Sequence, residues 1–104
     1  MWNEPTLEDL KKIPKLYETE GVPAQDKIIY EHFFIGSADW YIAEFDGKDL
    51  FFGYANLGDP DNAEWGYISL AELRDLKVGP GLEVDRDLHW RPKKASEVKN
   101  IRVW

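Results

Sequence analysis

Residues 30–67 read YEHFFIGSADWYIAEFDGKDLFFGYANLGDPDNAEWGY. This stretch holds eleven of the fifteen aromatic side chains of the protein, in short runs that turn-forming residues separate. Aromatic residues favour the pleated, half-buried surface of a sheet, and each of them buries a large apolar area. The stretch therefore predicts a β-sheet, but it does not indicate a reaction.

An antiparallel meander of about four strands is predicted over residues 28–35, 40–45, 50–55 and 65–68. Asp46 and Gly47 indicate a hairpin between the second and third strands, because both central positions of a tight hairpin turn need positive φ. Residues 58–62 are polar and rich in turn formers, so they form a loop before the fourth strand.

Helices are expected before and after the meander. Thr6, followed by acidic residues, begins an N-terminal helix, and Pro14 breaks or kinks it. Ser69 and Glu72 match a capping box, in which a hydroxyl and a carboxylate satisfy each other's backbone donors. This motif predicts a second helix over residues 70–76, directly after the fourth strand.

The remaining C-terminal sequence is less regular. Residues 82–90 have an extended pattern, and one helical turn is expected within residues 96–100. The order of elements predicts an α+β fold, in which the meander packs with the two helices in two layers. The length of the chain predicts one domain over residues 1–104. The C-terminal segment at 91–104 is basic.

Composition narrows the class of protein. The chain is 43% hydrophobic and 32% charged, and it has no cysteine. The missing cysteine excludes disulfides, thiolate zinc sites and cysteine nucleophiles. We find no secretion-signal pattern at the N-terminus, and the longest uninterrupted apolar run, residues 40–43, is too short for a membrane span. A cytoplasmic protein with no membrane partner is expected.

The net charge of −7 is distributed unevenly. Residues 1–85 carry 7 Lys and Arg against 18 Asp and Glu, whereas residues 86–104 carry 6 basic against 2 acidic residues. An acidic body repels nucleic acid at long range, so nucleic acid is not the expected partner. The basic segment either docks on an acidic surface, its own or that of a second copy, or is a solvated end.

Regular pairing across Asp46 and Gly47 would place alternate side chains on opposite faces of the hairpin. One face would hold Tyr41, Ala43, Phe45, Leu50, Phe52 and Tyr54. The other would hold Trp40, Ile42, Glu44, Phe51 and Gly53. The first set is typical of a core. The second is also apolar but includes a carboxylate, which leaves three alternatives: a covered core, a self-association surface or a ligand site.

Several motifs together resemble a bacterial single-domain family of unknown function. They are Phe33-Phe34, Trp40-Tyr41, Glu44, Asp46, Leu50 to Gly53, Glu64 to Tyr67, Ser69-Leu70, Glu72-Leu73, Arg86-Asp87 and Trp90. The likeness covers roughly residues 7–98, and the order and spacing of the motifs carry it. Members of this family are found on plasmids and other mobile elements. The resemblance implies a fold and this genomic setting, but no activity, cofactor or catalytic residue.

Glu44 is the strongest single candidate for a site residue. A carboxylate within an aromatic strand is a candidate general acid or base, because desolvation disfavours the charged form of a buried acid. The alternative is a structural glutamate at an edge or paired with an arginine, for which Arg86 is the expected partner. Trp40 and Phe51 are candidate ligand- or partner-binding residues together with Glu44 and Arg86.

Arg86, Asp87 and His89 bring three charged or titratable groups to one extended segment. In a strand, Asp87 and His89 would share one face and Arg86 would point to the other. An aspartate–histidine pair orients the imidazole in many catalytic sites, but no motif nearby supplies a serine nucleophile. A structural ion pair, a binding role and catalysis therefore remain alternatives.

No metal ion or cofactor is predicted. His32 is interpreted as a satisfied core histidine, and two histidines in the whole chain make a histidine-based metal site hard to build. Asp59, Asp61, Asn62 and Glu64 could offer oxygen ligands, but their spacing does not match a calcium-binding loop. A solvated turn is the expected role of these four residues.

The basic C-terminal residues are a candidate site for single-stranded nucleic acid, because aromatic side chains lie among positive charges there. The members of this set are Trp90, Arg91, Lys93, Lys94, Lys99, Arg102 and Trp104. Weak, salt-dependent binding would follow from such a site.

The preferred interpretation is a non-enzymatic accessory protein of mobile DNA that acts through contacts with another protein. A homodimer is a side prediction. The first alternative is a small-molecule binding protein or acid–base enzyme that uses Glu44, Arg86, Asp87 and His89, which requires these residues to meet in one cleft. The second alternative is weak nucleic-acid binding through the basic C-terminal segment.

Overall fold

The computed structural model describes residues 1–101 of the chain. The α-helices within this range are α1 (Leu7–Leu10) and α2 (Leu70–Asp75). The strands are β1 (Ile28–Ile29), β2 (Glu31–Ile35), β3 (Ala38–Phe45), β4 (Leu50–Asn56), β5 (Glu64–Ser69), β6 (Asp85–Arg86) and β7 (Lys93–Lys94). Short 3₁₀ turns lie at Ala24–Asp26, Pro60–Asn62 and Ala95–Glu97.

The predicted meander is present as β2 to β5. These strands join β6 in a five-stranded antiparallel sheet with the order β5–β4–β3–β2–β6. The first predicted strand, residues 28–35, is divided in two, since β1 pairs with β7 in a separate two-stranded sheet. The extended stretch predicted over residues 82–90 forms a strand only at β6. The antiparallel sheet with short helices confirms the α+β class.

The predicted arrangement of helices is wrong in part. The helix that Thr6 begins is only four residues long, although Thr6 and Asp9 form a complete capping box. The carbonyl of Pro14 instead accepts a hydrogen bond from the backbone N–H of Phe45, at 2.9 Å. The chain after α1 therefore covers the sheet as an irregular segment rather than as a helical layer. The helical turn expected within residues 96–100 is the 3₁₀ turn at Ala95–Glu97.

Ser69 begins α2, but the expected capping box is incomplete. The Ser69 hydroxyl accepts a hydrogen bond from the backbone N–H of Glu72 at 3.2 Å. The carboxylate in this network comes from Asp49, which accepts from the backbone N–H of Ala71 at 2.7 Å and from the Ser69 hydroxyl at 2.8 Å. Asp49, a residue of the β3–β4 loop, therefore adds a second cap to the start of the helix beside Ser69.

The β3–β4 hairpin contains a β-bulge at Ala43 that regular pairing did not predict. Tyr41 pairs with Tyr54 in the expected register, but beyond the bulge Phe45 pairs with Phe51. The loop spans residues 46–49 rather than two residues, because the Asp46 carboxylate accepts three backbone N–H groups within it and at its end. The expected assignment of faces is therefore wrong beyond the bulge: Glu44 and Phe45 exchange sides.

Other parts of the chain cover one face of the sheet and part of the other. On the face that holds Trp40 and Ile42, called the first face from here on, the N-terminal segment, α2 and Val84 just before β6 contribute to one buried apolar cluster. It is made of Leu10, Ile13, Phe33, Ile35, Trp40, Ile42, Phe45, Phe51, Ile68, Leu70, Leu73 and Val84. This cluster is the larger of the two cores among the described residues.

The C-terminal segment covers part of the second face. Its cluster consists of Ile29, Tyr41, Ala43, Tyr54, Ala95, Val98 and Ile101. The Trp90 ring packs against this cluster, and its Nε1–H donates to the carbonyl of Ile29 at 2.9 Å. Within residues 1–101, no helix has the length and apolar character needed to cross a membrane.

Candidate functional site

Glu44 is buried on the second face, with 4% of its surface exposed. Its Oε1 accepts a hydrogen bond from the backbone N–H of Tyr17 at 2.9 Å, and its Oε2 accepts one from the N–H of Thr19 at 3.0 Å. The Thr19 hydroxyl also donates to Oε2. Hydrogen bonds to a carboxylate are stronger than neutral ones, so Glu44 anchors the irregular segment around Tyr17 to the sheet.

Lys27 lies beside this network and is also buried, with 9% of its surface exposed. Its Nζ donates to the carbonyl oxygen of Thr19 at 2.5 Å and to the Thr19 hydroxyl at 2.9 Å. Thr19 thus stands between the ammonium of Lys27 and the carboxylate of Glu44. The sequence pattern did not single out Lys27 or Thr19, because both lie outside the aromatic strands and meet Glu44 only through the tertiary fold.

A cavity of about 270 Å³ opens in front of these residues. It is lined by Tyr17, Glu20, Lys27, Glu44, Phe52 and Tyr67. We call this cavity the Glu44 pocket. The Tyr67 hydroxyl donates to the Tyr17 hydroxyl at 3.1 Å, and this hydrogen bond raises the pKa of Tyr67 above its ordinary value, with a smaller contribution from the charge of Glu44.

Arg86 contacts a different set of acids. Its Nη1 lies 3.3 Å from a carboxylate oxygen of Asp9 and 3.9 Å from one of Glu31, while Lys12 lies 3.3 Å from the same Glu31 oxygen. Arg86 pairs with Phe33, which belongs to the core of the first face. The expected Glu44–Arg86 pair is therefore wrong: the bulge at Ala43 places Glu44 on the opposite face.

Asp87 forms its histidine contact with His32 rather than His89. Its Oδ2 lies 3.2 Å from Nδ1 of His32, and Asp39 Oδ1 lies 2.7 Å from Nε2 of the same ring. The His89 backbone N–H donates to the Asp87 carboxylate at 3.0 Å, and residues 88–89 form a turn. The expectation that Asp87 and His89 share a strand face is wrong, because β6 ends at Arg86.

The His32 ring contacts two aromatic rings and two carboxylates. Its ring stacks on Tyr41 at a centroid distance of 4.7 Å, with Trp90 at 5.3 Å. A neutral imidazole has one N–H and donates to one carboxylate, whereas a doubly protonated ring donates to both Asp39 and Asp87. Burial raises the pKa of the neighbouring Tyr41 hydroxyl. Both ring nitrogens of His32 have a carboxylate partner, as a satisfied histidine requires, but the side chain is 14% exposed and belongs to neither core cluster.

The four residues of the acid–base alternative do not meet in one cavity. Glu44 lines the Glu44 pocket, whereas Arg86 and Asp87 line a separate cavity of about 130 Å³. His89 is exposed and lines neither of them. Direct acid–base chemistry requires groups within hydrogen-bond reach of one substrate, so this set does not form one site.

Trp40 and Phe51 lie in the core of the first face, where Trp40 is 6% exposed and Phe51 is fully buried. Trp40 also forms part of the wall of two adjoining cavities of about 390 and 350 Å³, which share Leu57 and Leu76. Val78 and Leu82 line the first of these cavities. We call the joined cavities the apolar groove. Leu57, Leu76, Val78 and Leu82 are all large side chains that remain exposed.

The basic C-terminal residues have mixed positions. Lys93 Nζ lies 4.5 Å from the centroid of the Trp90 ring, and Lys94 Nζ lies 3.9 Å from a carboxylate oxygen of Asp26. Arg91 and Lys99 are exposed. Arg102 and Trp104, the other members of the predicted nucleic-acid set, lie outside the described residues.

The acidic loop is a capped turn. One carboxylate oxygen of Asp59 accepts from the backbone N–H of Asp61 at 3.1 Å, and the other accepts from the side-chain amide of Asn62 at 2.5 Å. Across residues 1–101, no group of three or more His, Asp or Glu side chains is arranged to hold a metal ion.

Comparison with known proteins places the chain in a family. Residues 10–99 match the model of a family described as a protein of unknown function, DUF2958. The chain belongs to this family. Its membership confirms the expectation of a family of unknown function and covers nearly the range predicted from the motifs. No curated protein and no solved structure matches the chain.

Proposed function

We propose that this member of the DUF2958 family is a non-enzymatic binding protein, and that the apolar groove is where its protein partner docks. The observation that carries the proposal is the exposure of four large aliphatic side chains around the edge of Trp40. Leu57 alone is 69% exposed. Contiguous exposed apolar surface of this kind is typical of interaction sites, because leaving it in water is unfavourable.

The charges around the groove favour a basic partner. Glu72 lines the groove, and the exposed Asp59 and Asp75 lie close in sequence to Leu57 and Leu76. Of the basic side chains nearby, Arg74 is already paired with Glu4, at 3.1 Å. The exposed Lys77 is then the positive charge that partly offsets these acidic side chains. We therefore propose a partner segment that presents apolar anchors flanked by Lys or Arg.

A second copy of the chain is the competing occupant of the groove. Two copies that met at this groove would bring like-charged rims together, which opposes association. The homodimer expected from the sequence is therefore the less favoured form of the proposal. The expected setting, an accessory role beside mobile DNA in the cytoplasm, rests on the family resemblance and on a sequence without a secretion-signal pattern or a long apolar run, and it belongs to the proposal.

The proposal is tested by selecting a display library of random 16-residue peptides against the purified full-length protein. Wild type is expected to enrich peptides that combine two or more large apolar residues with Lys or Arg. Leu57→Ser, which removes the most exposed wall of the groove, is expected to lose this enrichment. Leu88→Ser is the matched control, because Leu88 is 58% exposed but does not line the groove.

Two results would overturn the proposal. One is a selection that enriches the same peptides with Leu57→Ser as with wild type. The other is a wild-type dimer at micromolar concentration in sedimentation velocity that Leu57→Ser converts to a monomer, since a second copy would then fill the groove.

A further inference from the structure

The Glu44 pocket is independent of the peptide-docking proposal and has an unusual charge arrangement. Lys27 is buried, yet its Nζ has no carboxylate oxygen within 4.0 Å among the described residues. An ammonium carries three donors, and Thr19 accepts two of them. Burying a charge without an ion partner costs free energy. An anionic group that enters the pocket would therefore form a favourable ion pair with this ammonium.

Glu44 does not supply that anionic group. Its oxygens already accept two backbone N–H groups and the Thr19 hydroxyl, and Thr19 separates it from Lys27. Among the described residues, Oε1 accepts only from Tyr17, so it keeps a lone pair available, and Glu44 lines the pocket. The pocket thus combines an unpaired cation with a fixed carboxylate.

The remaining walls are aromatic. Phe52 stacks with Trp65 at a centroid distance of 5.8 Å and contacts the edge of Tyr67 at 5.6 Å. Lys27 Nζ lies 5.9 Å from the centroid of Phe52. The volume of about 270 Å³ is near the lower limit of ligand pockets, which is roughly 300 Å³. Such a space admits a small metabolite but not a polymer.

A simple anion does not match the whole pocket. Glu44 and Glu20 line it together with Lys27, so a ligand with only negative charge would be repelled by two carboxylates. A ligand that also carries an ammonium would complement them, and the aromatic rings of Tyr17, Phe52 and Tyr67, which line the same pocket, would favour a cation as well. Opposite charges on one small molecule fit both halves of the site.

We propose that the Glu44 pocket binds a free amino acid. The carboxylate of the ligand pairs with Lys27, its ammonium lies toward Glu20 and the free lone pair of Glu44, and its side chain packs on Phe52.

The test is a titration of the full-length, ¹⁵N-labelled protein followed by NMR, with L-phenylalanine as the probe. The amide signals of Tyr17, Thr19, Phe52 and Tyr67 are expected to shift, while that of Leu88 does not. L-phenylalaninamide lacks the carboxylate and N-acetyl-L-phenylalanine lacks the ammonium, and each is expected to bind at least tenfold more weakly. These ligand comparisons use wild type only, so they do not depend on the folding of a variant.

The matched variants are Lys27→Met, which keeps the length of the side chain without its charge, and the exposed Lys48→Met as control. Lys27→Met is expected to weaken L-phenylalanine binding at least tenfold, and Lys48→Met to leave it unchanged. The proposal is overturned if L-phenylalanine moves none of the four signals at 10 mM, if either modified ligand binds equally well, or if Lys27→Met binds as wild type does.

Discussion

At the scale of single residues, the main role of Glu44 is structural, because its carboxylate anchors the irregular segment around Tyr17 to the sheet. Three donors from Tyr17 and Thr19 converge on its carboxylate. The sequence could indicate that a carboxylate inside an aromatic strand needs partners. It could not indicate which ones, because the partners are backbone groups 25 and 27 residues away in an irregular segment. The sequence did not predict a role for Lys27 either, because its partner Thr19 lies in the same irregular segment.

Glu44→Gln tests this anchoring role. The change removes the charge and turns one acceptor into a donor that faces backbone N–H groups. We expect a loss of about 2–3 kcal/mol in the free energy of unfolding, measured by urea denaturation. Glu8→Gln is the control, because the Glu8 side chain is 78% exposed and its ion pair within residues 1–101 is with Lys11 at the surface. A Glu44→Gln protein as stable as the control would contradict this role.

Two surface carboxyls make stability depend on pH. Hydrogen bonds from Thr6 lower the pKa of Asp9 below 3.8, and the hydrogen bond from the N-terminal ammonium lowers the pKa of Glu83 below 4.5. A carboxyl whose pKa is lower in the folded state stabilises the fold above its unfolded value, and this stabilisation is lost as the pH falls through the folded value.

We therefore expect Asp9→Asn and Glu83→Gln each to lower stability at pH 7 and to flatten its decline on acidification from about pH 5. Urea denaturation at a series of pH values measures both effects. A variant whose decline parallels that of wild type would show that its carboxyl contributes nothing to the acid sensitivity.

At the scale of elements, the bulge at Ala43 separates what the pattern could predict from what it could not. Strand positions follow from aromatic runs and turn residues, and Gly47, with φ of 87°, lies in the expected hairpin loop. Gly53 inside the third predicted strand is the one signal for the bulge, because a glycine within a strand often marks a bulge or a close approach of two backbones, but it does not tell where the register shifts. This bulge decides on which face of the sheet the Glu44 side chain lies.

Gly53→Ala is expected to break the close approach beside the bulge. A Cβ at Gly53 would collide with the carbonyl oxygen of Tyr41, which is backbone and cannot move away cheaply. We expect a loss of more than about 2 kcal/mol, seen in urea denaturation. Gly66 pairs directly with Gly53, and a Cβ there meets no atom of residues 1–101 within 4 Å. Gly66→Ala is therefore the control, and equal losses for the two variants would contradict this reading.

At the scale of the whole molecule, residues 93–101 of the basic C-terminal segment are a structural part of the fold. Its charges suggested a docking or nucleic-acid role, but Ala95, Val98 and Ile101 cover the second face of the sheet. The charge pattern concealed this, since Lys94 and Lys99 stand next to Ala95 and Val98, whose side chains face the core. Removing the segment to test nucleic-acid binding would therefore also expose the core.

Ile101→Ala measures this structural role. Ile101 is 1% exposed, so truncating it leaves a cavity, and the expected loss is about 2–5 kcal/mol in urea denaturation. Lys99→Ala, at an exposed position two residues earlier, is expected to change stability by less than about 0.5 kcal/mol. A small effect of Ile101→Ala would mean that the segment does not complete the core.

The central claim is that the apolar groove is free to receive a basic, apolar peptide segment. Calorimetric titration of one enriched library peptide into wild type, Leu57→Ser and Leu88→Ser tests it most directly. We predict affinity at least tenfold weaker for Leu57→Ser, unchanged affinity for Leu88→Ser, and weaker binding as salt rises. Equal affinity for all three proteins would contradict the claim.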